Sequence, residues 1–503
     1  MSEASVHQRV NGQKLPLLVI ASAMILLSGC RGVSGIGSGN PPPPQGIGQI
    51  KHIIVLAQEN RGFDHYFGGL RAYWATHGFP DQSFDGLSQF NPSSGFAPLL
   101  GPAPANLGCD PAFPFPGNDC TTDTSSPKID SFHMISMCEE NPSPSWNESH
   151  VDWNLSNPLS SSPALDGFVW TAAHDARSVG FNDVAGKRAM SYYDGSDLPY
   201  YYFLASSFAT SDRWFSPAMS RTQPNRMFML AATSAGYAYP PPPNSPPLTI
   251  PTIFDRLQAA GVTWKIYVTD LSHATPPVQN SALNFFATAA TYPNNIVPVS
   301  EFMTDLANGT LPAVAYIEPG YNSGFDEHPG LDDNVPGANI QIGAQYVSTL
   351  INALMQSSSW KDSVFLLTYD EAGGFYDHVP PQPAMSPDGI KPVDLKPAIP
   401  PNGPDVCTVG TGPTCDFVYT GYRVPLIVIS PFTKKNYVSH TVADYTAWLK
   451  LVETRFSVPS LTRRDAAQMD MTEFFDFQNV PWKTPPSPPA QPTTGPCYMN
   501  QLP

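Results

Sequence analysis

The chain has 503 residues, of which 41% are hydrophobic and 12% aromatic, so it can bury a sizeable core and is not globally disordered. Its formal net charge of −16 argues against nucleic acid as a partner, because phosphate contacts need Lys and Arg. An anionic substrate would therefore have to be held by local cations, such as a divalent metal ion.

The N-terminus has the pattern of an export signal. Arg9 and Lys14 precede a short apolar stretch that ends in Leu27-Ser28-Gly29-Cys30. This stretch is too short to cross about 30 Å of hydrocarbon, so residues 1–29 are predicted to be a signal peptide. The ending resembles a bacterial lipobox, with Cys30 as the lipidated residue. Ordinary cleavage beside an incidental cysteine is the alternative.

This N-terminus predicts an exported protein of the bacterial cell envelope, held at the membrane by a lipid anchor. Residues 30–49 form a Gly/Pro-rich tether, residues 50–477 the catalytic domain and residues 478–503 a Pro-rich tail. The six cysteines after Cys30 are an even number, which suggests disulfides outside the cytoplasm. Cys109–Cys120 and Cys407–Cys415 are the first candidates because they are close in sequence.

Short apolar runs alternate with helical patterns along residues 50–477, which predicts an α/β fold with a largely parallel sheet. The expected strands, all taken as parallel, are Ile53–Ala57, Val262–Val268, Ala313–Ile317, Val364–Thr368 and Leu426–Ser430. The expected helices are Leu198–Phe208, Arg226–Ser234, Ile253–Ala260, Ile340–Ser357 and Ala443–Phe456.

Two of these strands end on oxygen-bearing side chains. Glu59 and Asn60 follow the first strand, and Asp370 and Glu371 follow the fourth. Ligands of open α/β sheets bind outside the carboxyl ends of the strands, so the two pairs are expected to converge on a divalent cation. The alternative is that each pair caps a following helix.

Thr222 is the candidate nucleophile. Pro224 suits the first turn of a helix, so Thr222 would lie at a helix N-terminus, where an anion is favoured. A hydroxyl beside a metal can attack phosphorus, although Thr222 could also be a plain N-cap. His328, in the segment FDEHPG, could protonate a leaving alkoxide or be only an exposed loop histidine. His133 and His150 are further candidates, and His65 is left unassigned.

Several consecutive motifs resemble one family, the bacterial phosphoesterases that include non-specific phospholipases C and related acid phosphatases. The matching segments are QENRGFDHYFGG, SPSWNESHVDWN, DRWFSPAMSRTQPNRMFMLAATSAG, DEHPG, TYDEAGGFYDHVPP and GYRVPLIVISPF. They span about residues 50 to 456. The resemblance implies a three-layer α/β/α sandwich with a mostly parallel central sheet, like that of alkaline phosphatase.

The resemblance also implies roles for individual residues. Glu59 with Asn60, and Asp370 with Glu371, match the two halves of the metal site, and Thr222 matches the nucleophile that forms a phospho-threonine intermediate. The implied contacts to the phosphoryl group or the leaving oxygen are His133 and His328. The further substrate-binding candidates are His150, Arg221 and Arg226.

The sequence departs from the family pattern at Ser220-Arg221, which replaces a frequent Gly-Pro and places a positive charge beside Thr222. The spacing Thr222-x-Pro224-x-Arg226 also echoes the sulfatase motif, but threonine cannot yield the formylglycine aldehyde, so a sulfatase is not expected. The expected function is a phospholipase C that converts phosphatidylcholine to diacylglycerol and phosphocholine. The alternatives are an acid phosphatase acting on monoesters, and a non-catalytic surface lipoprotein that binds a ligand.

Overall fold

The central sheet is built from apolar runs that are buried on both faces, as expected for parallel strands covered by helices. The computed structural model describes residues 44–93, 95–109, 127–271, 281–330, 339–396 and 405–502. The chain divides into the units Met1–Pro42 and Pro43–Pro503, and the first lies outside the described residues. The predicted signal peptide and Cys30 therefore also lie outside them.

Fourteen strands are found in the described residues. They are β1 (His52–Gln58), β2 (Ala105–Leu107), β3 (Lys128–Asp130), β4 (Phe132–His133), β5 (Ser191–Tyr192), β6 (Ala209–Ser211), β7 (Trp214–Phe215), β8 (Trp264–Val268), β9 (Ile296–Pro298), β10 (Val314–Glu318), β11 (Ser363–Tyr369), β12 (Leu426–Ile429), β13 (Tyr437–Ser439) and β14 (Ala443–Asp444).

Thirteen α-helices are found in the same residues. They are α1 (Phe63–Phe67), α2 (Leu70–His77), α3 (Trp146–Trp153), α4 (Phe168–Val179), α5 (Pro199–Ser207), α6 (Thr222–Ala231), α7 (Ile253–Ala259), α8 (Ala287–Thr291), α9 (Ser300–Asn308), α10 (Ile340–Gln356), α11 (Val406–Val409), α12 (Ala447–Phe456) and α13 (Arg463–Ala466).

The main sheet has eight strands in the order β13-β6-β12-β11-β1-β10-β8-β9. β1 lies between β10 and β11 and is parallel to both, so the ends of β1 and β11 meet at one edge. β12 is antiparallel to both of its neighbours. The prediction that Leu426–Ser430 is a parallel strand is therefore wrong. Its apolar pattern reports burial, whereas its direction depends on the path of the preceding insertion.

Helices cover both faces of this sheet. The register places Val55 beside Tyr316 and Gln58 beside Tyr369, so the two tyrosines project from opposite faces. Tyr316 contacts rings of α7 and α12. Tyr369 instead contacts Tyr66 of α1, and α5 packs on β6 and β12. The three-layer α/β/α architecture with a mostly parallel sheet is confirmed.

Disulfides join cysteines both near and far apart in the sequence. The predicted pair Cys407–Cys415 is present, and an unpredicted bond joins Cys138 to Cys497 in the C-terminal tail. Cys109 is disulfide-bonded, while Cys120, its expected partner, lies outside the described residues. Among the described residues, no helix is both long and apolar enough to cross a membrane. Ile47 is buried, so packed structure begins within the predicted tether.

Candidate active site

The carboxyl end of β1 delivers Glu59 and Asn60 to the edge of the sheet. Asn60 has a left-handed backbone (φ +54°), which asparagine adopts more readily than most residues and which turns the chain sharply after the strand. Its backbone N–H donates to Asp370 Oδ1 at 3.0 Å, and the N–H of Glu59 donates to the carbonyl of Asp326 at 2.8 Å. The ends of β1 and β11 and the loop after β10 are thereby joined.

Thr222 lies against this pair. It is the first residue of α6, and the residue before it, Arg221, occupies the N-cap position. The Thr222 hydroxyl lies 3.0 Å from Glu59 Oε2 and 3.2 Å from Asn60 Oδ1 and donates to this pair. Because Arg221 and not Thr222 is the N-cap residue, the alternative that Thr222 is a plain N-cap is wrong.

Arg226 is buried one turn further along α6 and pairs with Glu59. Its Nη2 lies 2.6 Å from Glu59 Oε1, and its Nη2 also donates to the carbonyl of Ala57 at 3.0 Å. Its Nε is 3.4 Å from Asp370 Oδ2. The expectation that Arg226 contacts substrate is not met, because the guanidinium is engaged with Glu59 and the strand backbone. It orients Glu59 and partly balances the buried carboxylates.

Asp370 and Glu371 bring further negative charge to the same edge. Burial, reinforced by nearby Glu59, raises the pKa of Asp370 to about 7. Burial and the neighbouring Asp370 raise the pKa of Glu371 well above its usual range, while Arg221 opposes this rise. Glu371 Oε1 and Asp370 Oδ2 accept no hydrogen bond from the described residues. Buried oxygens left in this state indicate a site that a cation would stabilise.

The donor set fits a divalent cation. Three carboxylates (Glu59, Asp370 and Glu371), an amide oxygen and a hydroxyl supply the oxygen ligands that such ions prefer. The three carboxylates are not among the groups of described residues whose ligand atoms all lie within 4.8 Å of one another. Asn60 Oδ1 and Thr222 Oγ1, which lie 3.2 Å apart and next to Glu59, would add an amide and a hydroxyl oxygen to a ligand set.

His328 fixes the orientation of Asn60. Its Nε2 lies 3.1 Å from Asn60 Nδ2, and its Nδ1 hydrogen bonds with the carbonyl of Pro329. Burial lowers the pKa of His328 to about 4, so the ring is neutral at pH 7. The partners assign the proton to Nδ1, and Nε2 then accepts from the Asn60 amide. Asn60 Oδ1 is thereby directed at the Thr222 hydroxyl.

Glu327 was not predicted from the sequence as a site residue. It holds in place the loop after β10 that carries Asp326 and His328. Its buried carboxylate accepts hydrogen bonds from Gln58 Nε2 at 3.1 Å and from the hydroxyls of Tyr66 at 2.8 Å, Tyr201 at 2.5 Å and Tyr369 at 2.9 Å. These four hydrogen bonds fix the Glu327 carboxylate, and they thereby hold its sequence neighbours Asp326 and His328 in position. The acidic run in FDEHPG was visible in the sequence, but the tyrosines come from separate elements.

Arg221 lies between two groups of acids. Its positive charge lowers the pKa of Glu371 on one side and that of Glu148 and Asp175 on the other, in each case against a dominant rise caused by burial. Asp175 lies 3.7 Å from Arg188. Arg221 is partly exposed, so of the predicted substrate-binding residues it is the one placed beside Thr222 with access to solvent.

The structure does not bring His133 and His150 into the Thr222 cluster. His133 Nε2 lies 2.7 Å from Asp197 Oδ2, and this bond raises the pKa of His133. His150 is fully buried, with its two ring nitrogens on the carbonyls of Trp146 and Thr414. The expectation that His150 binds substrate is therefore wrong, because both nitrogens are taken by the backbone.

His65, left unassigned from the sequence, is a buried packing residue. Its ring stacks on Phe375 at 3.8 Å, and its nitrogens meet the carbonyl of Ser191 and the carboxylate of Glu139. Glu139 also binds Arg61 at 2.8 Å. This network braces the turn that follows Glu59 and Asn60.

Three other groups of described residues have the ligand spacing of metal sites. In one, His133 lies with Asp194 and Asp197. In another, His150 lies near Cys407 and Cys415, whose sulfurs are joined in a disulfide. The third group is Asp64, Asp377 and His378, and there both aspartates are already ion-paired with Arg423.

Comparison with known proteins places the chain in a class of enzyme, the phosphoric ester hydrolases. The chain belongs to the phosphoesterase family, whose model matches residues 50–459. It is 32% identical to phospholipase C B of Mycobacterium tuberculosis, over 96% of this chain and 87% of that protein. Non-specific phospholipase C1 of Arabidopsis thaliana is 28% identical, over 86% of this chain and 72% of that protein.

Solved structures give weaker likenesses. A protein of the alkaline phosphatase superfamily from Vibrio parahaemolyticus is 14% identical, with a TM-score of 0.31 over 54% of this chain and 64% of that chain. The family assignment depends on the sequence matches.

Proposed function

We propose that the protein is a phospholipase C that cleaves phosphatidylcholine to diacylglycerol and phosphocholine, with Thr222 as nucleophile. The observation that carries this is the Thr222 hydroxyl, held at 3.0 and 3.2 Å from Glu59 and Asn60 at the start of α6. The names of the relatives, phospholipase C B and phospholipase C A of Mycobacterium tuberculosis, support the lipid substrate.

The chain's own residues suggest how the first step proceeds. Glu59 Oε2 accepts the hydroxyl proton as Thr222 Oγ1 attacks phosphorus, and the P–O bond to the glycerol breaks in line with the attack. The amides at the start of α6 favour the anionic phosphoryl group. A divalent cation on Glu59, Asn60, Thr222, Asp370 and Glu371 would lower the pKa of the hydroxyl and neutralise charge on the phosphoryl oxygens.

The second step restores the enzyme. Diacylglycerol leaves with the proton that Glu59 took from Thr222, and phosphocholine remains as an ester of Thr222. Water then attacks phosphorus and the bond to Thr222 Oγ1 breaks: the water oxygen and one of its protons leave with phosphocholine, and its other proton passes through Glu59 to Thr222 Oγ1. In both steps His328 holds Asn60 in place, and Arg226 holds Glu59.

The test compares wild type with Thr222→Ala on p-nitrophenyl phosphorylcholine, p-nitrophenyl phosphate and phosphatidylcholine vesicles. Loss of the nucleophile should reduce kcat on the diester by about a thousandfold or more. Thr233→Ala is the matched control, because its hydroxyl bonds Asp388 beyond the other end of α6. A Thr222→Ala enzyme with more than a tenth of wild-type activity would rule out the nucleophile assignment.

The same substrates separate the diesterase from its alternative. A phospholipase C should hydrolyse the phosphorylcholine ester and release diacylglycerol from vesicles. Faster turnover of p-nitrophenyl phosphate without diacylglycerol would instead establish an acid phosphatase. Dialysis against a chelator should abolish activity on every substrate, and divalent cations should restore it.

We also propose that the protein is exported and anchored to the membrane through a lipid on Cys30. The disulfides Cys138–Cys497 and Cys407–Cys415 support an oxidising compartment. Cys30→Ser should move the protein from the membrane fraction to the soluble fraction. Continued membrane association of that variant in high salt would contradict the anchor.

A further inference from the structure

One loop of the chain presents large apolar side chains to solvent. Phe96 is 56% exposed, Leu99 60% and Leu100 54%, although such side chains are usually buried. No Asp, Glu, Lys, Arg or His occurs from Gly86 to Cys109, in a chain whose net charge is −16. We call Phe96, Leu99 and Leu100 the apolar tip.

The backbone of the tip is held rigidly from inside. Arg71 is buried, and its guanidinium donates to the carbonyls of Phe96 at 2.9 Å and Pro98 at 2.7 Å. Asn91 Nδ2 donates to the carbonyl of Leu99 at 3.3 Å. These carbonyls point inward, so the fold fixes the loop with its apolar side chains outward. The guanidinium of Arg71 contacts only the backbone of the loop, and its charge is paired with Asp81 at 2.9 Å.

The loop that carries the tip is tied to the elements that directly follow β1. Arg71, which holds the tip, is in the first turn of α2, and α2 follows β1 and the short helix α1. The base of the loop is tied to α1, because Leu87 N–H donates to the carbonyl of Gly68 at 3.0 Å. Phe90, in the same loop, packs edge-on against Tyr192 of β5.

We propose that the apolar tip is the surface that docks the enzyme on a zwitterionic lipid bilayer. This deepens the proposed function, since it concerns how a lipid substrate reaches the site. Insertion removes three apolar side chains from water, enough for weak, reversible binding. An uncharged tip needs no anionic lipid, and an anionic surface would repel the acidic body.

A second copy of the chain is a poorer occupant. A stable protein interface needs on the order of 800 Å² from each partner, more than three side chains on one loop provide. Two copies would also bring like net charges together. The bilayer needs no such extended complementary surface, so it accounts for a small, rigid and uncharged tip.

The test measures co-sedimentation with phosphatidylcholine vesicles, using full-length chains that carry Cys30→Ser so that no acyl anchor contributes. Phe96→Ser/Leu99→Ser/Leu100→Ser should weaken vesicle binding at least tenfold. The matched control replaces Met385, Ile390 and Val393 with Ser. These are 49%, 41% and 65% exposed and lie in the segment whose Asp388 binds Thr233, beyond the far end of α6. The control should bind like the parent.

A single substitution that keeps an aromatic ring at the tip should preserve binding. Phe96→Trp should bind vesicles at least as tightly as the parent, because tryptophan favours the membrane interface. Equal binding by parent and tip variant, or equal loss in the tip and control variants, would overturn the proposal. So would tip-dependent dimerisation without vesicle binding.

Hydrolysis separates docking from chemistry. The tip variant should keep its activity on soluble p-nitrophenyl phosphorylcholine within twofold while its activity on vesicles falls at least tenfold. Binding is measured in the Thr222→Ala background as well. If the proposed function fails, no diacylglycerol appears in any sample, yet the tip still governs sedimentation. If only the docking surface is wrong, diacylglycerol forms and the tip variant binds and cleaves vesicles like the parent.

Discussion

Replacing Glu327 tests whether the hydrogen bonds of its buried carboxylate hold the loop that carries Asp326 and His328. Glu327→Ala removes the acceptor of four buried donors, those of Gln58, Tyr66, Tyr201 and Tyr369. Each bond is worth about 1 kcal/mol net, so the bonds alone sum to about 4 kcal/mol. That is a large fraction of the stability of a typical protein, about 5–15 kcal/mol.

Glu327→Gln should cost less, about 1–2 kcal/mol, because one oxygen still accepts and tyrosine hydroxyls can rotate to accept from the new amide. Tyr201→Phe removes one of the four bonds and should cost about 1 kcal/mol. Gly343→Ala perturbs Glu327 by steric contact, because a Cβ at this position would lie 2.2 Å from Cγ of Glu327. It should therefore destabilise the same loop without altering the carboxylate.

Urea denaturation followed by circular dichroism gives the free energies of unfolding, and hydrolysis of p-nitrophenyl phosphorylcholine gives kcat and KM. Because His328 and Asn60 shift with the loop, kcat should fall more than KM rises in Glu327→Gln. A Glu327→Ala protein within 1 kcal/mol of wild type, with unchanged kcat, would refute the reasoning.

Three further predictions concern charge and cross-links. Burial lowers the pKa of His378, but Asp64 and Asp85 outweigh it and raise this pKa to about 9. The protonated ring therefore stabilises the folded protein. That stabilisation is complete below the ordinary pKa of 6.5 and is lost as pH rises towards 9. Up to about 3 kcal/mol should disappear over that range, and pH-dependent unfolding of His378→Asn should lack this component. Cys138→Ser/Cys497→Ser should lower the free energy of unfolding by about 3–5 kcal/mol, whereas an unchanged urea midpoint would show that the bond does not restrain the unfolded chain. Divalent cations should raise the melting temperature of chelator-treated wild type but not of Asp370→Asn; equal shifts in both would place the ion elsewhere.

Local sequence was enough to predict the sheet strands and the polar residues at their ends. Apolar runs between turn-forming residues predict β1 and β11 whatever elements these strands pack against, and Pro224 predicts the start of α6. The placement of Glu59 and Asn60 beside Asp370 followed from a general rule about the carboxyl ends of parallel strands.

Tertiary structure alone decided the features that depend on distant partners. The direction of β12 was not encoded in its apolar pattern, and His150 looked like a ligand until the backbone carbonyls took both of its nitrogens. Arg226 could have faced a substrate, but the packing of α6 turned it onto Glu59. Composition and periodicity report which residues are buried, whereas the partner of a buried polar group is set by which elements the fold brings together.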